Sequence, residues 1–248
     1  MEAAHAVWER GHKVFLMEAN PELGGQLNLA SLPPGRKEIE NFRNFLQTRL
    51  QRTDVKILKP KSATAAFLKE YSPDGVILAA GAHPRKYKVN GLEEGRMISA
   101  WETLRGRGDL REPVLVLGAG LVGCEAADLL SQAGKKVILV EVLPEIAMGG
   151  DADTKAYFNL KFKKNGVEVF TGSNLDRVED NFAVLQRGKK EIRVQVGTVV
   201  CAVGADPNGE LYDELISAGL SVIKIGDCIQ PRTLLEAIQE GFQAGRSF

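Results

Sequence analysis

The 248-residue sequence predicts an α/β fold in which two related units of parallel strand and helix share one chain, the second inserted in the first. Three observations carry this reading. An apolar run, Val114, Leu115, Val116 and Leu117, leads straight into Gly118-Ala119-Gly120-Leu121-Val122-Gly123, after which apolar residues recur at helical spacing. Residues 11–18 (GHKVFLME) repeat as residues 134–141 (GKKVILVE), and residues 75–84 (GVILAAGAHP) as residues 198–207 (TVVCAVGADP), both at an offset of 123 residues. Near the end, a short apolar strand gives way to Ile225-Gly226-Asp227-Cys228 and a further helix.

The second unit is the more complete. The run at residues 114–117 has no polar alternation, as expected of a parallel strand buried on both faces. The hexad after it is a full G-x-G-x-x-G, in which Gly118 permits a tight turn, Gly120 lets a pyrophosphate approach the main chain, and Gly123 lets helix and strand pack closely. The helix that opens at Leu121 and Val122 offers phosphates its free amides and its positive dipole end. Val122, Ala126, Leu129, Leu130 and Ala133 mark one face of that helix, and Gly134 ends it. Residues 137–140 form a second buried strand with Glu141 at its carboxyl end, 23 residues after Gly118. A carboxylate there accepts hydrogen bonds from a ribose diol and repels a 2′-phosphate, and no arginine follows, so NAD(H) is favoured over NADP. Strand, glycine turn, helix, strand and acid together define a Rossmann-like dinucleotide-binding domain, and the repeat makes the first unit a second one.

The first unit is expected to be truncated at its amino end. Carried back, the offset sets Met1 opposite Cys124 and residues 2–4 opposite residues 125–127, so three matching glycines would fall ahead of Met1. The unit is then expected to lack its first strand and glycine loop. Loss of an inner strand costs about 1–3 kcal/mol for each neighbouring backbone group left buried without a partner.

Taken in order, residues 1–10 read as a helix ended by Gly11, and residues 14–18 as a strand whose Glu18 stands where Glu141 stands in the second unit. Gly24 and Gly25 allow the main chain to approach a ligand closely, although a plain turn before the next helix explains them equally well. Ile39, Phe42, Phe45, Leu46 and Leu50 mark an amphipathic helix after Pro33-Pro34-Gly35. A short strand at residues 55–58, a helical piece at 67–71 and a buried strand at 75–80 follow, ending at Gly81-Ala82. Residues 83–113 are irregular apart from a helix near residues 101–105, and read as the crossover between units. Beyond Glu141 come a loop at 144–150, a helix at 153–164, a strand at 167–170, and a hairpin of residues 182–186 and 191–196 around Gly188. Residues 198–203 return to the sheet and residues 234–245 form a closing helix. Asp227, just past a strand end, can orient a polyol or phosphate-bearing ligand, or merely cap a turn.

Composition excludes several classes. Hydrophobic residues make up 44% and charged residues 26%, with 32 basic and 32 acidic side chains, so no broad attraction to nucleic acid or to an anionic membrane is expected. No apolar run approaches the roughly 20 residues needed to span a bilayer, and the amphipathic start is not a signal peptide. Cys124, Cys201 and Cys228 are far apart and form no C-x-x-C, which argues against a redox dithiol or an iron–sulfur cluster on this chain and for a cytoplasmic setting with buried thiols. His5, His12 and His83 stand singly, are expected to face solvent, and do not supply the roughly four converging ligands of a metal site.

In combination, Glu18-Ala19, Leu23-Gly24-Gly25-Gln26-Leu27, Ala79-Ala80-Gly81-Ala82, residues 118–125 (GAGLVGCE), Glu141 and Ile225-Gly226-Asp227-Cys228 resemble the two-dinucleotide-binding-domain flavoproteins. Within them the chain is most similar to the carboxyl-terminal half of the 2,4-dienoyl-CoA reductase and trimethylamine dehydrogenase group of NADH:flavin oxidoreductases. The resemblance implies an FAD-binding domain at residues 1–110 and 206–248 and an NAD(P)-binding domain at residues 111–205. It implies that Glu18 binds the FAD ribose, that Gly24, Gly25, Gln26, Ala80, Gly81 and Ala82 line the FAD site, and that Gly226 and Asp227 meet its ribityl–phosphate region. Gly204, which the repeat sets opposite Gly81, joins the cofactor-binding set. The implied function is an oxidoreductase module that passes a hydride from NADH to FAD and on to a partner. FMN and an iron–sulfur cluster are expected only on a barrel domain or subunit absent from this chain; the sequence also allows a homo-oligomer. The alternative is a nucleotide-binding or structural module without turnover. A single-cofactor dehydrogenase would need a histidine or Tyr–Lys constellation, and none stands out, so no catalytic residue is assigned. A disulfide reductase of the thioredoxin reductase kind is disfavoured by the missing C-x-x-C.

Overall fold

The computed structural model describes all 248 residues. In chain order the first elements are α1 (Glu2–Glu9), β1 (Phe15–Met17), α2 (Gln26–Ala30), α3 (Lys37–Gln51), β2 (Lys56–Leu58), α4 (Ala65–Glu70), β3 (Val76–Leu78) and β4 (Ala82–Pro84). There follow β5 (Met97–Ser99), α5 (Ala100–Leu104), β6 (Val114–Leu117), α6 (Leu121–Gln132), β7 (Val137–Val140), α7 (Ala152–Asn165) and β8 (Glu168–Phe170). The last are β9 (Asn174–Glu179), β10 (Phe182–Arg187), β11 (Lys190–Gln195), β12 (Thr198–Cys201), β13 (Ala205–Pro207), α8 (Glu210–Ser217), β14 (Val222–Lys224) and α9 (Leu234–Ser247).

The chain divides into two compact units. One comprises Met1–Ser31, Arg36–His83 and Ala205–Phe248, the other Leu32–Gly35 and Pro84–Gly204, so the second is inserted in the first as the repeat implied. The sequence boundary at residue 110 shifts, because residues 84–110 pack with the inserted unit. The reason is pairing: β5 lies parallel to β12, with Met97 opposite Val199 and Ser99 opposite Cys201. Arg96, just before β5, is buried and donates from Nε to Gly197 O at 2.9 Å, from Nη1 to Asp180 O at 3.1 Å and from Nη2 to Val196 O at 2.7 Å. One guanidinium thereby fixes three carbonyls that no strand partner reaches.

The inserted unit is layered. Its parallel sheet runs β5-β12-β6-β7-β8, and every residue of β6, β7 and β12 is buried, which is why each reads as an unbroken apolar run. Alternate residues Leu115, Leu117, Ile138 and Val140 pack against Leu175, Val178, Ala183 and Leu185 of a three-stranded antiparallel sheet, β11-β10-β9. On α7, Phe158 and Phe162 are buried one turn apart while Leu160 is exposed, so the inward face is the i, i+4 pair.

The outer unit holds two parallel pairs, β1 with β2 and β3 with β14, and the short pair β4 with β13. The pair β4 and β13 joins the two segments that the repeat sets opposite each other. Helices α1 and α9 cross closely at glycines: a Cβ on Gly245 would lie 2.6 Å from Ala6 Cβ, and one on Gly241 3.3 Å from Glu2 Cβ. Leu50 and Val55 bury against Ala4 and Leu23, while Leu215 of α8 meets Ala65 and Leu68 of α4.

One expectation is overturned: His5 is 9% exposed, with its ring centroid 5.6 Å from that of Trp8 and Nδ1 3.5 Å from Glu9 on the next turn. Trp8 and Glu9, one turn on along the same helix, help to cover it. His12 and His83 are exposed as expected. Strands β4, β5, β9 and β13 were not anticipated, since their sequences lack a clear apolar period, and helix α8 was missed although Leu211 and Leu215 stand one turn apart on its buried side.

Candidate nucleotide-binding sites

In the inserted unit the turn after β6 is shaped by glycines with different duties. Gly118 has φ +95°, and a Cβ there would stand 2.6 Å from Ala202 O; a Cβ on Gly123 would stand 1.9 Å from Gly118 O. Both positions are closed to any side chain. Gly120 has φ −63°, a conformation any residue adopts, yet a Cβ there would meet nothing within 4 Å. Its glycine leaves open space beside the main chain, which is what a phosphate approaching the backbone needs. Helix α6 starts with no side-chain cap, so the amides at Leu121 and Val122 stand at the positive end of its dipole without a competing side chain.

Glu141 does more than the sequence suggested. It is 8% exposed; Oε2 accepts a hydrogen bond from the Ala119 amide at 2.6 Å and Oε1 one from the Leu143 amide at 2.9 Å. The carboxylate therefore pins the glycine turn to the end of β7, while each oxygen keeps further acceptor capacity for a diol. The Ala119 carbonyl accepts from the Ala147 amide at 2.7 Å and from Cys124 Sγ at 3.3 Å. Burial pushes the Cys124 thiol up to about 12, so it packs as a small apolar group. Past Glu141, Val142 and Leu143 are exposed, and Pro144, Glu145, Ile146 and Lys155 help to line a cavity of about 430 Å³. Gly204, at the return to the outer unit, has φ +103° and accepts the Arg85 amide at 3.0 Å.

In the outer unit three separated segments converge. Gln26, the first residue of α2, donates from Nε2 to Asp227 Oδ2 at 3.0 Å across 201 residues of sequence. Asp227 Oδ1 accepts the Arg232 amide at 3.1 Å, and a Cβ on Gly81 would stand 3.4 Å from Gln26 Nε2. Gly24, Gly25, Gly81 and Gly226 all have positive φ, and a Cβ on Gly25 would meet nothing within 4 Å. Gln26, Gly81 and Asp227 thus form one polar, glycine-walled patch. Ala80 is exposed and Ala82 buried; the Ala80 and Gly81 carbonyls accept from the side chain and amide of Asn208 at 3.3 Å and 2.9 Å. Glu18 hydrogen-bonds elsewhere: its Oε1 accepts both the amide and the side-chain nitrogen of Asn20, at 2.8 Å and 2.9 Å.

Sequence reasoning missed Asn208 and Glu240. The Gly226 amide donates to Glu240 Oε2 at 2.6 Å, which holds that carboxyl below its usual range and ties the Gly-Asp turn to α9. Nothing in the sequence marks Glu240, one of many acids on a helical surface. Asn208 carried a weaker signal, as a residue right after the repeated proline.

Both patches suit a dinucleotide on their chemistry: open glycine main chain and uncapped amides for phosphates, and carboxylates at strand ends for hydroxyls. Residues 1–241 match the profile described as pyridine nucleotide-disulphide oxidoreductase. The NADH oxidase of Thermoanaerobacter brockii is 36% identical over 250 residues, which cover 98% of this chain and 38% of that protein. The bilirubin reductase of Mediterraneibacter gnavus (strain CC55_001C) is 32% identical over 245 residues, again 98% of this chain and 38% of that protein. Among solved structures, 2-naphthoyl-CoA reductase superposes with a TM-score of 0.92 at 23% identity over 100% of this chain and 38% of that one. Histamine dehydrogenase from Rhizobium sp. 4-9 does so with a TM-score of 0.89 at 20% identity, over 100% and 42% of the respective chains. These structures share the fold, and the chain spans 38% of the length of both curated relatives.

Proposed function

The chain belongs to the pyridine nucleotide-disulphide oxidoreductase family, and from that premise we propose that it is the NADH- and FAD-binding module of a larger flavoprotein oxidoreductase. The open main chain at Gly120, beside the uncapped amides of Leu121 and Val122 and pinned by Glu141, is the observation that supports this most. In this reading Gly118, Gly120, Leu121, Val122, Gly123, Glu141 and Gly204 hold NADH, and Glu18, Gly24, Gly25, Gln26, Ala80, Gly81, Ala82, Gly226 and Asp227 hold FAD. Bound there, NADH would supply a hydride for FAD to accept and pass on as electrons to a further acceptor.

The residues orient and bind. The Leu121 and Val122 amides would donate hydrogen bonds to the diphosphate of the nicotinamide cofactor, and Glu141 would offer acceptors to its ribose. Gln26 and Asp227, already bonded to each other, present a fixed donor–acceptor pair to a polyol and phosphate chain. The buried cysteines take no part, so the disulphide chemistry in the family description does not extend to this chain. The curated relatives run well beyond the shared span, and we place FMN, an iron–sulfur cluster and the site of the final acceptor on that further portion, as a partner domain or subunit.

A carboxylate at Glu141 repels a 2′-phosphate, so NADH is the preferred donor. Titration of the protein with NADH and with NADPH, followed by nicotinamide fluorescence, tests this. The expected result is NADH binding at least about tenfold tighter, roughly 1.4 kcal/mol, with Gly120→Ala weakening it. Equal binding of NADPH, or NADH binding unaffected by Gly120→Ala, would overturn the assignment.

A further inference from the structure

The segment that follows β7 grips the glycine turn of the inserted unit at two consecutive peptides, and we infer that Ala147 is a positioning residue that aims the Gly120 amide at the diphosphate of the bound nucleotide. The inference rests on the NADH reading of this site and adds to it a residue outside the glycine motif. The first grip is the Ala119 amide, which donates to Glu141 Oε2 at 2.6 Å. The second is the Ala119 carbonyl, which accepts from the Ala147 amide at 2.7 Å and from Cys124 Sγ at 3.3 Å.

That carbonyl shares one planar trans peptide with the Gly120 amide, so the two groups point in opposite directions. Ala147 and Cys124 are both fully buried, and with the carbonyl held against them the Gly120 N–H faces the other way. A Cβ on Gly120 would meet nothing within 4 Å, so the approach to this amide is open. It joins the Leu121 and Val122 amides as a third donor at the start of α6. A flipped peptide would present the Ala119 carbonyl oxygen to the phosphate instead, exchanging a donor for a partial negative charge that repels it.

Ala147 holds its amide there in a costly conformation. Its φ is +52°, in the left-handed region that residues other than glycine seldom adopt. The other two such residues, Ser72 and Asp180, are exposed, whereas Ala147 is buried under the turn and its carbonyl accepts the Gly150 amide at 3.0 Å. The repeat marks the same position independently. Residues 21–24 (PELG) stand opposite residues 144–147 (PEIA) at the offset of 123, Leu23 and Ile146 are both buried, and Gly24 has φ +124° where Ala147 has +52°. A positive φ at this place thus belongs to both units; the outer one meets it with glycine and the inserted one with a strained alanine.

The test titrates the full chain, isotope-labelled for amide NMR, with NADH and with adenosine, which lacks the diphosphate. The Gly120 amide proton is expected to move downfield with NADH and to stay in place with adenosine. Ala147→Val, whose branched side chain is excluded from positive φ, should bind NADH about tenfold or more weakly than the wild type. Ala147→Gly keeps the conformation without strain and should restore wild-type NADH affinity, and adenosine should bind all three proteins alike. A Gly120 amide that bound NADH leaves unmoved overturns the inference and leaves the proposed function standing, even where Ala147→Val does not fold. Unchanged NADH affinity in Ala147→Val, the same loss in Ala147→Gly, or an equal loss of NADH and adenosine affinity, as a general loosening of the loop would give, overturns it too. A wild-type chain that binds no NADH overturns the proposed function together with the inference.

Discussion

At the scale of single residues, the glycines of one motif divide into structural and ligand-facing positions, and substitution separates them. Gly123→Ala drives a Cβ into the Gly118 carbonyl and should cost about 3 kcal/mol or more, read as a fall in the denaturation midpoint. Gly120→Ala meets open space and should cost no more than about 1 kcal/mol, the usual loss at a helix start, while still weakening NADH binding. Glu141→Ala leaves the buried Ala119 amide without its acceptor and should cost about 1–3 kcal/mol as well as NADH affinity. For Cys124 the sign follows from its raised thiol: the folded state holds the proton more tightly than the unfolded one. That stabilising contribution is complete below pH 9 and is lost as the pH climbs from 9 towards about 12, and native Cys124 should resist alkylation near neutral pH. The motif positions were legible in the sequence because phosphate binding constrains residue type at fixed spacing. The second duty of Glu141 was not, since its bond to Ala119 depends on how the turn folds back.

At the scale of elements, legibility followed burial. Strands β6, β7 and β12 read directly as apolar runs because both faces are covered, and α3, α6 and α9 followed from their apolar spacing. Strand β5 could not be read, because three residues of mixed character become a strand only by lying beside β12 and behind Arg96. Strand β9 hides its period behind charges and a register shift near Val184 and Leu185 of its partner. Arg96→Met keeps the side-chain volume but deserts three carbonyls, and should destabilise the inserted unit by about 3 kcal/mol in chemical denaturation. An Arg96→Lys variant should recover only part of that loss, because an ammonium lacks the planar fork. Full stability in both variants would show that β5 is held by its ladder alone.

At the scale of the whole molecule, the repeat foretold two units with one inserted in the other, and the structure has that topology. The boundary near residue 84 lay beyond the sequence, because it depends on which sheet the crossover joins. The convergence of Gln26, Gly81 and Asp227 was reachable only through resemblance, since no local pattern links residues 201 apart. The central claim is that the chain takes electrons from NADH into FAD, and an anaerobic absorption titration tests it most directly. Protein incubated with FAD is freed of unbound flavin and then titrated with NADH. The expected result is a retained flavin band that bleaches stoichiometrically as NADH is added; a retained band that NADH leaves unchanged would contradict it and favour a nucleotide-binding module without turnover.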